Sequence, residues 1–140
     1  MFERFDAGVS LERDLFIDEA NFSEEFVKQA SLVAYYGIAY QNAAAARRDA
    51  ELELDFLEAD AMQAARLLLA GQKVTEATIK EVVMTNETLQ VHKRLVNGLI
   101  KDEEILKVQY TSIQEKGKQL MSFGGVRRSE LESNVRMLAR

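Results

Sequence analysis

The chain has 140 residues, 18 Lys and Arg against 23 Asp and Glu, and is 47% hydrophobic and 29% charged, the profile of one soluble domain rather than of a disordered or membrane-spanning chain. It contains no Pro, Cys or Trp and a single histidine, which excludes disulfide frameworks, cysteine zinc sites and thiol nucleophiles, and leaves too few imidazoles for a zinc-protease pair or a di-iron bundle. Composition thus argues against an enzyme, and the net charge of −5 against a uniformly basic nucleic-acid binder.

The start, Met1-Phe2-Glu3-Arg4-Phe5-Asp6, lacks the basic and apolar regions of a leader, and no run reaches the ~20 apolar residues of a spanning helix. The sequence therefore predicts a cytosolic chain with nothing removed and no membrane partner. Charge is unevenly spread: residues 1–25 carry Arg4 and Arg13 against eight acids, while residues 91–140 carry ten cations against six acids. That asymmetry separates an acidic N-terminal segment, residues 1–20, from a single helical domain, residues 21–140.

With no proline to interrupt them, helices can run long, and the apolar spacing predicts an all-α chain of two long helices with shorter capping helices, oligomerising through heptad-like seams. A short helix after Ser10 leads into Leu15-Phe16-Ile17-Asp18, whose adjacent apolar side chains suit an irregular segment clamped onto a neighbour. Asn21-Phe22-Ser23-Glu24 carries a capping residue followed by Glu, so a long helix is expected to begin there. Its apolar positions step through Phe26, Ala30, Val33, Gly37, Tyr40 and Ala44, then resume as Ala50, Leu54, Leu57, Ala61, Ala64 and Leu68. The interval from Ala44 to Ala50 is one residue short of a heptad and rotates the stripe by about 100°. The helix is thus expected to over-twist near Arg47-Arg48-Asp49 or to present two faces to different neighbours. If unbroken it spans about 70 Å, which predicts oligomerisation or a kink at Gly37.

Gly71 offers a left-handed cap, Thr75 or Thr78 can open a short helix to about Met84, and Thr85-Asn86 can open the next. The seam of that second long helix reads Leu95, Leu99, Asp102, Leu106, Tyr110, Ile113, Gly117 and Leu120. Gly124-Gly125 is expected to stop it, and Ser129-Glu130-Leu131-Glu132 to open a last short helix ending near Leu138. The small side chains of Ala43 to Ala46 allow close approach of another helix.

Cations occur in groups: Arg47 with Arg48, Lys93 with Arg94, Lys101, Lys107, Lys116 with Lys118, and Arg127 with Arg128, with Tyr36, Tyr40, Tyr110 and Phe123 between them. Phosphate-neutralising cations beside rings that stack unpaired bases are what sequence-independent single-strand binding requires. Charge pairs on long helices more often form solvated ion pairs, and Tyr40 and Tyr110 lie on predicted seams. Arg127 and Arg128 stand apart, because the glycines place them in an expected turn. His92 reads as a packed or surface histidine, and Glu51/Asp55 and Asp102/Glu103/Glu104 as solvated charge.

Leu11-Glu12-Arg13-Asp14-Leu15-Phe16-Ile17-Asp18, the long helix with Tyr35-Tyr36, its continuation Ala61-Met62-Gln63-Ala64-Ala65-Arg66-Leu67, and a second half with Ile105-Leu106-Lys107-Val108 and a terminal Gly-x-Arg-like turn together resemble the UvsY family of phage recombination mediators, over roughly residues 8–132. The resemblance implies a non-enzymatic protein of the host cytoplasm during infection, acting in DNA recombination and repair without a cofactor. It would form a homo-oligomeric ring, bind single-stranded DNA and help a RecA-like recombinase displace single-strand-binding protein. Where the family's long helix carries a Lys-Ala-Arg motif, this chain has Gln63-Ala64-Ala65-Arg66, leaving Arg66 as the retained cation. The family is basic and this chain acidic, so the expected DNA contacts are Arg66 with Arg47, Arg48, Lys93, Arg94, Lys101, Arg127 and Arg128. The competing class is an oligomeric helical adaptor that binds another protein and not DNA; a small helical enzyme is a third.

Overall fold

The computed structural model describes residues 7–139, and side chains from Leu11 onward. Met1 to Asp6, on which the absence of a leader was read, lie outside the described residues. The order is α1 (Ala7–Leu15), one 3-10 turn (Glu19–Asn21), α2 (Phe22–Leu68), α3 (Glu76–Met84) and α4 (Glu87–Leu138). No strand occurs among the described residues, so the chain is all-α, with two long helices and shorter ones. None of the described helices is long and apolar enough to cross a membrane.

Several boundaries follow local chemistry. Phe16 to Asp18 is irregular, as its three-residue apolar run implied. Gly71 takes a φ of +86° just after α2, a left-handed conformation that glycine adopts without a Cβ penalty. Thr75 caps α3 by accepting from the Thr78 N–H, and the Asn86 side chain accepts from the Leu89 N–H at 3.2 Å to open α4. α2 begins at Phe22, within the stretch where the capping pattern put it. Asn21 closes the 3-10 turn that leads in, and Asp18 caps that turn: its Oδ1 accepts from the Ala20 N–H at 3.0 Å and its Oδ2 from the Asn21 side-chain amide at 2.8 Å. Glu24 pairs forward with Lys28 at 3.9 Å.

α4 overturns a larger expectation. Gly124 and Gly125 do not stop it, no separate helix begins at Ser129, and Arg127 and Arg128 are helical rather than in a turn. The reason for Gly124 is packing: a Cβ there would lie 3.3 Å from the Phe26 ring, so the glycine admits Phe26 and Phe22 against α4. A glycine inside a helix costs only about 1 kcal/mol relative to Ala, which the flanking turns of a long helix absorb. α2 likewise runs as helix through Gly37 and Arg47.

The chain divides into two compact units, the described residues up to Tyr40 with those from Leu106, and Gln41–Ile105. In the first, α2 and α4 pack antiparallel: Phe26 meets Gly124, Glu25 meets Lys116, Gln29 meets Ile113 and Tyr40 stacks on Tyr110. Ile113 and Leu120 are its fully buried apolar side chains. In the second, Arg47 meets Glu103, Ala50 meets His92 and Glu58 meets Lys93, again antiparallel. Its buried apolar side chains include Ala44, Ala50, Ala65, Ile79, Leu89 and Val96, of which Ala44 alone belongs to the run Ala43 to Ala46.

The seams carry polar groups. In the first unit Lys116 and Glu25, 3% and 11% exposed, form an ion pair at 2.8 Å. Lys116 Nζ also donates to the Asp14 carbonyl at 2.6 Å, and the Tyr36 hydroxyl to Asp14 Oδ2 at 2.9 Å. Together these fasten the end of α1 to both long helices. Gln29 donates to the Ile113 carbonyl at 2.8 Å, over Gly117, where a Cβ would lie 2.8 Å from the amide nitrogen. In the second unit Arg47 occupies a half-buried position between Ala44 and Ala50. α2 stays helical through this stretch, with the Arg47 guanidinium turned toward Glu103 of α4.

Candidate nucleic-acid interface

Each cation singled out in the sequence has a definite place. Six of the eight lie in the unit Gln41–Ile105 and two in the other. Arg47 is held by Glu103 through Nε and by Glu51 at 2.7 Å through Nη1. The Glu103 hydrogen bond is the largest cause that moves its pKa above the ordinary guanidinium value; desolvation opposes it, and the charges of Glu103 and then Glu51 add to the rise. It is thus a structural ion, and Glu51 and Glu103 are its counter-ions rather than solvated charge. Arg66 reaches Glu76 at 3.3 Å, and Lys93 reaches Glu58 at 3.2 Å; both pairs are exposed enough for another anion to compete.

Arg48, Arg94 and Lys101 are exposed and take part in no ion pair among the described residues. Arg94 and Lys101 are seven apart on α4 and share a face, whereas Arg48 lies on α2. Arg127 is exposed and donates to the Glu19 carbonyl at 3.4 Å, beside the Asp18 cap. A 380 Å³ cleft between them is lined by Ala20 to Glu24 and Arg127, and Glu24 counters any anion there. Arg128, one position on, is exposed with no counter-ion among the described residues.

The sequence reading did not assign three further cations on α4. Lys107, Lys118 and Arg136 fall, at 100° per residue, within about 20° of one another and about 120–140° from Ile113 and Leu131, interleaved with Thr111, Gly125 and Ser129. The spacing of eleven and eighteen residues, three and five helical turns, was the available signal. It is hidden if Gly124-Gly125 is taken as a stop. Lys118 pairs with Glu115, and Lys107 and Arg136 are exposed without a counter-ion among the described residues. Lys116, grouped with Lys118 in the sequence, is by contrast buried.

The aromatic rings separate similarly. Tyr40 and Tyr110 are half-buried and stacked on each other with centroids 6.1 Å apart, and a Cβ at Gly37 would lie 3.1 Å from the Tyr110 ring. Tyr36 is buried; Tyr35 stands edge-on to it at 5.3 Å, its hydroxyl pKa raised by burial and then by Asp14. Phe123, 47% exposed, is the ring near the end of α4 that is open to a stacked base. His92 sits in the seam with its Nε2 3.1 Å from the Ala50 carbonyl. Among the described residues no three His, Asp or Glu gather as a metal site. Set against family models, curated proteins and solved structures, the chain matches none, so its surface is read from its own residues.

Proposed function

We propose that this chain is a recombination mediator of the UvsY kind, a non-enzymatic cytoplasmic protein that binds single-stranded DNA as a homo-oligomer and promotes loading of a RecA-like recombinase onto DNA covered by single-strand-binding protein. The observation that carries it is the last third of α4. There Arg127, Arg128 and Arg136 are exposed, and the accessible ring of Phe123 lies one helical turn before Arg127, a pairing of phosphate and base contacts that sequence-tolerant binding uses. An oligomer multiplies a few weak contacts per copy, so an acidic chain needs only a local basic strip.

The test is fluorescence anisotropy of a labelled single strand at low and moderate salt, with a duplex of equal length as control. Binding that favours the single strand and weakens with salt is expected, and Arg127→Glu/Arg128→Glu should reduce both the affinity and its salt slope. An intact oligomer that binds no DNA even at low salt would overturn this reading. The alternative, an adaptor that binds a protein, is favoured by one observation: Leu131, Val135 and Leu138, 60%, 65% and 88% exposed, continue the α4 seam with nothing packed on them.

A further inference from the structure

The acidic segment that precedes α2 lies against the face of α4 that holds Phe123 and Arg127. At 100° per residue Lys116, Phe123 and Arg127 fall within about 40° of one another, and they span about 16 Å along the axis. Both cations of this face donate to backbone carbonyls of one segment: Lys116 Nζ to that of Asp14 at 2.6 Å, and Arg127 Nη1 to that of Glu19 at 3.4 Å. Between those carbonyls the chain is irregular from Phe16 to Asp18 before it enters the 3-10 turn. From Asp14 to Asn21 it carries Asp14, Asp18 and Glu19 and no cation. An acidic strand that gives one oxygen to each of two cations flanking a ring holds these donors as a phosphodiester backbone would.

The attachment of this segment is of a kind that reopens. α1 has nine residues, fewer than the ~12–15 that an isolated helix needs to persist in water, so its docking keeps it helical. The dock combines the two carbonyl contacts with the Tyr36 hydroxyl, which donates to Asp14 Oδ2 at 2.9 Å. Leu11, Leu15 and Ile17 are half-buried, and Phe16 is 67% exposed. On opening, polar groups exchange these bonds for bonds to water, so each holds the segment less firmly than its distance implies.

We propose that α1 and the segment to Asn21 form an autoinhibitory strap, which occupies the Lys116 and Arg127 donors of this face and is displaced when a single strand binds there. The strap regulates the binding site of the mediator reading and rests on that reading. Glu24 and Glu25 belong to α2 and stay behind, so the acids that leave with the strap are Glu12, Asp14, Asp18 and Glu19. Lys116 keeps its ion pair with Glu25 at 2.8 Å. An ammonium has three N–H donors, and the one released from the Asp14 carbonyl is the one that passes to a phosphate oxygen.

The test uses the full chain and a labelled single strand, with circular dichroism to monitor folding. Tyr36→Phe removes the hydroxyl that holds Asp14 without changing any charge, and Asp14→Ala removes its acceptor. Glu12→Ala, at an exposed position without a side-chain partner among the described residues, controls for the charge lost in Asp14→Ala. A strap that must leave lowers the apparent affinity by the fraction of open molecules. Loss of the one hydrogen bond should therefore tighten binding about two- to tenfold in Tyr36→Phe and in Asp14→Ala, and less in Glu12→Ala. In wild type, hydrogen exchange read by mass spectrometry should accelerate at residues 11–21 when the strand is added, while α2 and α4 keep their protection. Affinity unchanged or weakened in both variants, or exchange at 11–21 that slows or stays constant as DNA binds, would overturn the strap and leave the mediator reading in place. No binding by wild type or by either variant at low salt would overturn the mediator reading and the strap with it.

Discussion

Replacing Lys116 by Met tests the most buried charge in the fold. Its ammonium is 3% exposed and pairs with Glu25, 11% exposed, at 2.8 Å, while donating to the Asp14 carbonyl at 2.6 Å. Met retains most of the length of the side chain but leaves the Glu25 carboxylate buried without its partner. Removing one member of such a pair costs about 3–5 kcal/mol, whereas replacing both with apolar groups is close to neutral. For a chain of this size 1 kcal/mol corresponds to about 3–4 °C in Tm, so Lys116→Met should lower Tm by about 10–20 °C. Glu25→Leu/Lys116→Met should recover to within about 1–2 kcal/mol of wild type, the residue being the lost bond to Asp14. Thermal and urea melts by circular dichroism, at one protein concentration, read both values. A single variant that melts with wild type, or a double variant as unstable as the single one, would refute the account of the pair.

The two glycines of α4 outside its tight contacts and within them should respond in opposite directions. Gly125→Ala, where a Cβ meets nothing within 4 Å, should stabilise by about 0.5–1 kcal/mol, while Gly117→Ala pushes a Cβ to 2.8 Å from Gln29 Nε2 and should destabilise; equilibrium urea unfolding separates them. Arg47→Met should lower stability by removing the ion pairs with Glu103 and Glu51, yet leave the salt slope of single-strand binding unchanged, as measured by anisotropy at several salt concentrations. Asp18 titrates below the usual carboxylate value because of the hydrogen bonds from Asn21 and then Ala20. A lowered folded-state pKa means that its stabilisation is complete above the unfolded value and is lost as pH falls through the folded one. Asp18→Ala should therefore melt below wild type near neutrality, the difference closing at acid pH in a pH series of melts.

Local rules were legible in the sequence and long-range ones less so. Gly71, Thr75 and Asn86 act within a few residues of themselves, and each does what its chemistry predicts. Gly124 also obeys a rule, but its partner is Phe26, nearly a hundred residues away, and one sequence does not reveal that a ring rather than a turn requires the missing Cβ. The seam of α4 was legible between Leu106 and Leu120, where Leu106, Tyr110, Ile113 and Leu120 stand out as the apolar residues of their steps, except at Gly117, beside which the structure buries Lys116. Further upstream, Leu95-Val96 and Leu99-Ile100 offer two equally apolar choices, and the structure buries Val96 where the period had favoured Leu95. Asp102 is exposed and Glu103 is turned inward toward Arg47. Periodicity finds an amphipathic face only when the opposite face is polar, and these helices are apolar on both.

The same property decides which cations remain available to a ligand. A hairpin of two long helices joined only by apolar stripes can slide by a heptad and keep most of its contacts, since a Leu or Ala meets an equivalent hole one step along. Directional groups cannot. A slip of α4 against α2 would strand the Glu25 carboxylate, the Gln29 amide and the Lys116 ammonium in the first unit, and the Arg47 guanidinium in the second. Each stranded group costs more than the apolar contacts that a slip preserves. Register is thus set by the charges that sequence inspection would assign to a ligand, Arg47 foremost. The cations open to phosphate are among those that the seam does not use: Arg48, Arg94, Lys101, Lys107, Arg128 and Arg136 are exposed with no ion pair among the described residues. A net charge of −5 therefore says little about this surface, because part of the acid is spent holding seam cations in place and the remainder is concentrated elsewhere along the chain.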